Sequence, residues 1–146
     1  AQTLGYRSKT LIGVLSMCEL YEVPGRQWMD EYVDRRINAG VHLRVVRSSN
    51  KDLHPFWSQS EAELRTVRYA PSDFNFTMTT YIYGNTVALI SSRKENFAMT
   101  IDSAELAVMQ TGLFEMLWDA SRTLALSAKR SPRNKVVKLQ AKKKSI

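Results

Sequence analysis

Cysteine and histidine are scarce in this chain of 146 residues: Cys18 stands alone, and His42 and His54 are the only imidazoles. A single cysteine excludes an intramolecular disulfide framework, and its place beside the apolar run 11–17, LIGVLSM, predicts a buried, inert thiol rather than a nucleophile. No Cys/His cluster stands at ligand spacing, so neither a metal site nor a metal cofactor is expected. Nowhere do apolar residues run for the eighteen or so positions of a membrane span, and the N-terminus lacks the charged-then-apolar pattern of a signal peptide. The expectation is a soluble, cytoplasmic protein. Acidic residues are absent from position 129 onward, and this absence locates the charge.

The net charge of +7 belongs to that acid-free segment. Residues 129–146 carry Lys129, Arg130, Arg133, Lys135, Lys138, Lys142, Lys143 and Lys144, whereas residues 1–128 hold thirteen Lys and Arg against fourteen Asp and Glu. The chain therefore reads as one globular domain, 1–128, followed by a basic tail, 129–146. Such a tail suits salt-dependent contact with a phosphate backbone; the alternative is a solvated tail, or one that orders against a partner. The domain itself offers no charge argument for binding nucleic acid.

What is present is an alternation of strand and helix signals. The run 11–17 reads as a buried strand. Pro24-Gly25 opens a helix over residues 26–39, in which Trp28, Met29, Tyr32, Val33 and Ile37 recur at spacings of three and four, and Gly40 ends it. The segment VHLRVV, 41–46, returns as a strand, which makes a β-α-β unit with a parallel crossover. A short helix is expected through Glu61 to Leu64, led in by Pro55, Phe56 and Trp57, and a short strand over 66–69. Strands on either side of Gly84-Asn85 form a hairpin whose Gly-first order favours a type II′ turn. A further strand over 97–101 precedes a helix capped by Asp102 or Ser103, with Leu106, Met109, Leu113, Phe114, Leu117 and Trp118 on one apolar face, running to about residue 128. Trp28, Phe114 and Trp118 are expected in the core. The fold class is α/β: a mixed central sheet with helices on both faces.

The hairpin segment 76–92, FTMTTYIYGNTVALISS, resembles the catalytic strand of phospholipase D-like enzymes, His-x-Lys-x-x-x-x-Asp-Gly followed by a second strand ending in Gly-Ser. Phe76, Met78 and Tyr83 fall where that motif has His, Lys and Asp, so the imidazole nucleophile and the phosphate-binding cation are both missing. The wider order of residues is similar to the regulatory domain of TrmB-like transcriptional regulators. It comprises Arg36-x-x-x-Gly40-Val41, Arg68-x-x-Pro71, Tyr83-Gly84-Asn85, Ile90-x-Ser92 and Phe114-x-x-x-Trp118. That likeness covers about residues 6 to 122 and implies a phospholipase D-like half without catalysis or cofactor. In the family it serves effector sensing and dimerisation, while DNA is bound through an N-terminal winged helix. No winged helix precedes the first strand and Ala1 stands in place of an initiator methionine, so a fragment of a longer chain, or a processed product, is expected.

Because phospholipase D-like folds are built as two related halves and this chain holds one, a homodimer is expected. A small-molecule effector is placed beyond the carboxyl ends of the parallel strands. A pocket of Arg44 or Arg47 with Phe76, Met78 and Tyr83 would suit an anionic or aromatic molecule; the alternative is that Phe76 and Met78 fill the old cleft as core. Arg44 has its own alternative, pairing with a carboxylate. Two other functions compete: a phosphodiesterase or nuclease using His42 or His54, neither of which lies in a His-x-Lys frame, and a nucleic-acid-binding protein acting through its tail.

Overall fold

The computed structural model describes residues 9–16, 25–49, 61–92 and 94–123. In chain order these form β1 (Thr10–Leu15), α1 (Arg26–Asn38), β2 (His42–Arg47), a 3₁₀ turn (Glu61–Glu63), β3 (Arg65–Tyr69), β4 (Thr79–Tyr83), β5 (Thr86–Ile90), β6 (Ala98–Asp102) and α2 (Ala104–Ala120). The six strands make one sheet in the order β3-β2-β1-β4-β5-β6. β1, β2 and β3 are parallel, and β4, β5 and β6 continue the sheet antiparallel from β1. The chain is thus mixed α/β, and the parallel half comes from the β-α-β unit that the alternation of signals predicts. Cys18, His54, Pro55, Phe56, Trp57 and the basic residues of 129–146 lie outside the described residues.

Side chains alternate between two faces of the sheet, and each face has its own core. Leu11, Leu15, Leu43, Val45, Val67, Tyr69, Tyr81 and Tyr83 cluster on one, the tyrosine face. Ile12, Val46, Ile82 and Val87 pack with Ala107, Phe114 and Trp118 of α2 on the other, the helix face. The tyrosine face is packed tightly enough that Gly13 is required in β1: a Cβ there would lie 2.8 Å from the Thr80 carbonyl oxygen and 3.2 Å from the Tyr81 ring. On this face lies α1, whose Tyr32 is close enough to Tyr81 and Tyr83 to disfavour their ionisation.

α1 buries Met29, Tyr32 and Arg36, a spacing of three and four. Trp28 departs from the expected core position: it is 41% exposed and stacks flat on Tyr32, one turn along, with ring centroids 5.5 Å apart. Arg36, polar by type, takes the buried place because its guanidinium donates to the carbonyls of Val41 (2.7 Å), Leu64 (3.0 Å) and Glu63 (2.6 Å). It thereby ties the end of α1 to the strand that follows and to the turn before β3. The helix stops at Gly40, with φ of 68° and its N–H donating to Ile37.

The hairpin joins Tyr83 to Thr86 through Gly84-Asn85. Gly84 has φ of 58°, and among the described non-glycine residues only Leu64 and Asn96 have positive φ, so the turn follows the II′ pattern. Ser103 caps α2, accepting from the N–H of Leu106 at 3.2 Å. The helix ends at Ala120, short of the expected residue 128. Ser121 is extended and its hydroxyl donates to the Leu117 carbonyl at 2.6 Å, while Arg122 exchanges two backbone hydrogen bonds with Tyr69 of β3. α2 therefore starts beside the β6 edge and finishes at the β3 edge, crossing the sheet. Its apolar face is covered only in part: Phe114 and Trp118 are buried, whereas Met109 and Leu113, expected beside them, are more than half exposed. No described helix is long and apolar enough to cross a membrane.

Candidate functional site

Between α2 and the middle of the sheet the helix face is incompletely filled. Val14 of β1 and Thr80 of β4 are cross-strand partners and lie beneath the gap. The gap is a cavity of about 390 Å³. Its floor is Gly13, Val14, Thr80 and Ile82; its roof is Gln110, Leu113, Phe114 and Leu117 of α2; and Phe74, Phe76 and Met78, from the segment that leads into β4, close one side. Phe74 and Leu113 are 44% and 52% exposed and form the mouth, with Phe74 packed at an angle on Phe76, centroids 5.6 Å apart. A space of this volume, walled mainly by carbon, is of the size that holds small organic ligands.

The residues that the phospholipase D-like frame singles out are divided by the sheet. Phe76 and Met78 both line the cavity, and Phe76 also packs against the helix-face core. Tyr83 belongs to the tyrosine face, where burial raises its pKa above the ordinary phenol value. Arg47 is 1% exposed and close to Tyr81, also on the tyrosine face. Arg44 is on the helix face but outside the cavity wall. Strand alternation explains the division, because Arg44 and Arg47 are an odd number of residues apart on β2, as are Met78 and Tyr83 along the chain entering β4. One pocket of Arg44 or Arg47 with Phe76, Met78 and Tyr83 is therefore not assembled.

Arg44 instead belongs to an ionic and aromatic clamp on the C-terminal half of α2. Its guanidinium donates to both carboxylate oxygens of Glu115, at 2.6 and 3.0 Å, and lies 4.6 Å from the centre of the Trp118 ring. Arg68 of β3 lies 4.5 Å from the same ring and donates to the Trp118 carbonyl at 2.9 Å. A cation at that carbonyl complements the negative end of the helix. The hydrogen bonds from Arg44, opposed by partial burial, hold the Glu115 carboxyl below its ordinary pKa, and the Arg44 and Arg68 charges add to the effect. Of the alternatives for Arg44, pairing with a carboxylate is the one present.

Of the imidazoles, His42 shares a hydrogen bond with Thr66 between neighbouring parallel strands, Nε2 to Oγ1 at 2.9 Å, away from the cavity. Among the described residues no group of three or more His, Cys, Asp and Glu is gathered closely enough to hold a metal ion. The cavity residues that do not follow from the sequence are Phe74, Gln110, Leu113, Phe114 and Leu117 on the helix side and Val14 with Thr80 on the floor. The signal nearest to them was the broad apolar face of α2. Comparison with protein-family models and with curated proteins finds no match to this chain.

Proposed function

We propose that the chain is a non-catalytic effector-sensing and dimerisation domain of a TrmB-like transcriptional regulator, with the cavity under α2 as its effector site. The observation that carries the reading is the meeting of Phe76 and Met78, at the positions of the missing His and Lys of the phospholipase D-like frame, in the wall of an apolar cavity. A cleft that once held a phosphodiester then holds carbon-lined space, suited to binding and without a nucleophile. The hairpin and the parallel β-α-β unit agree with the phospholipase D-like half that the sequence resembles. DNA binding belongs, on this reading, to a winged helix encoded upstream.

The partner is a second copy of the chain. Val108, Met109 and Met116 present an apolar stripe on the outer side of α2, and every residue of the edge strand β6 is exposed, Met99 and Ile101 among them. Exposed apolar surface of this kind on a helix and an adjoining open strand edge is covered in most proteins. Sedimentation of the wild-type chain at tens of micromolar is expected to give a dimer, and Met116→Lys, at a position 71% exposed, to give a folded monomer. A monomeric wild-type chain overturns the dimerisation reading. Sequencing the coding region upstream of Ala1 tests the regulator reading, with a winged helix as the expected result.

A further inference from the structure

Among the described residues the cavity wall contains no ionisable side chain, and Thr80 and Gln110 supply the side-chain polar groups. The Arg44 guanidinium lies 5.4 Å from the centre of the Phe114 ring and is held by both oxygens of Glu115. A ligand carrying a net charge would lose its water on entering this space and find no counter-ion, whereas an apolar ligand would be stabilised by every contact. The volume of about 390 Å³ admits a molecule of one or two rings or a short aliphatic chain. Its entrance is apolar as well, because Phe74 and Leu113 are the two exposed residues of the wall that bound it on either side.

From this geometry we infer that the cavity takes an uncharged, mostly apolar small molecule bearing at most one or two hydrogen-bonding groups, which Gln110 and Thr80 meet. The inference rests on the effector-sensing reading of the same cavity and narrows it: anionic effectors are rejected, and the selectivity comes from desolvation. It also assigns Gln110 a positioning role, since it is the one side-chain amide among the described residues of the wall.

The test uses the full chain carrying isotope-labelled methionine and leucine methyl groups, with indole as the neutral probe and indole-3-carboxylate, ionised at neutral pH, as its charged counterpart. Indole is expected to shift the methyl signals of Met78, Leu113 and Leu117 saturably, and the carboxylate to bind at least about tenfold more weakly. Met78→Trp, which fills the space, is expected to abolish the indole response. Leu113→Arg, at a half-exposed position that tolerates a charge, is expected to bring the carboxylate's affinity up to that of indole. The proposal is overturned by wild-type chain that binds the carboxylate as tightly as indole, or whose three methyl signals stay unmoved up to the solubility limit of indole. A chain that binds indole as expected but sediments as a monomer upholds the ligand class while removing the dimerisation reading, so the two failures are distinct.

Discussion

The two faces of the sheet solve the same packing problem in opposite ways. On the tyrosine face, polar groups are taken inside and tied down: Arg36 is 1% exposed with three carbonyl partners, and Tyr81 is buried beside Tyr32 and the charges of Arg36 and Arg47. On the helix face, the charged groups stay at the rim, where Arg44, Arg68 and Glu115 clamp Trp118, and the middle is left as apolar space. The first arrangement is costly to disturb, because each buried polar group depends on its partners. The second leaves a cavity between the sheet and the helix above it. Rigidity on one face and spare volume on the other is a division that suits a binding domain.

The largest expected effect breaks the tyrosine face at its centre. Arg36→Ala removes the guanidinium donor from the carbonyls of Val41, Glu63 and Leu64, of which Leu64 keeps the N–H of Leu43, and is expected to cost about 3 kcal/mol or more, read from urea unfolding. Arg36→Lys, which keeps the charge but not the fork, should recover only part of it. A loss below about 1 kcal/mol for the alanine variant would show that these bonds hold nothing in place.

A smaller effect separates the faces by pH. Burial, and next the nearby Tyr32, raise the pKa of Tyr81 well above the phenol value. A group whose folded pKa is raised contributes stability that is present in full below its unfolded pKa, near ~10, and that is lost as pH rises from there toward the folded value. The urea midpoint is therefore expected to fall above about pH 10, and Tyr81→Phe to make the fall shallower. An unchanged alkaline slope in that variant would assign the loss to other groups.

The smallest effect belongs to the helix face and has the opposite sign in pH. The carboxyl of Glu115 is depressed, so its contribution is present above the unfolded glutamate value, near ~4.3, and disappears as pH falls through the lower folded value. Because the Glu115 side chain is 45% exposed, solvent screening keeps the contribution small. Glu115→Gln is expected to lower stability at pH 7 by less than ~1 kcal/mol, with the difference shrinking in high salt and vanishing at acid pH. A difference that persists in molar salt would point to packing around Trp118 in place of the ion pair.

Which parts of this arrangement were legible beforehand follows from the range of the forces involved. The hairpin at Gly84-Asn85, the strand pattern around it, the stop at Gly40 and the cap at Ser103 all depend on residues a few positions apart, and their signals are local. The end of α2 was not legible, because the residues after Ala120 have no strong helix breaker until Pro132; pairing of Arg122 with Tyr69 turns the chain, over a separation of more than fifty residues. Burial of Arg36 was hidden for a similar reason, since two of its acceptors, Glu63 and Leu64, lie in a distant turn. For the site, the frame of the hairpin singled out Phe76 and Met78, and they do share one cavity. It did not separate them from Tyr83 and Arg47, because a motif written along one chain does not record which face of a sheet each side chain meets.

By itself the sequence determined the α/β class, the hairpin and its turn, the parallel unit around α1 and the confinement of net charge to residues 129–146, since composition and short-range periodicity are enough for each. Tertiary structure alone decided which strand became the exposed edge, that Arg36 went inside while Trp28 stayed out, and that a cavity lies between α2 and the sheet. The physical reason is that burial and empty volume are properties of surfaces meeting, and those surfaces are assembled from residues that the chain keeps far apart.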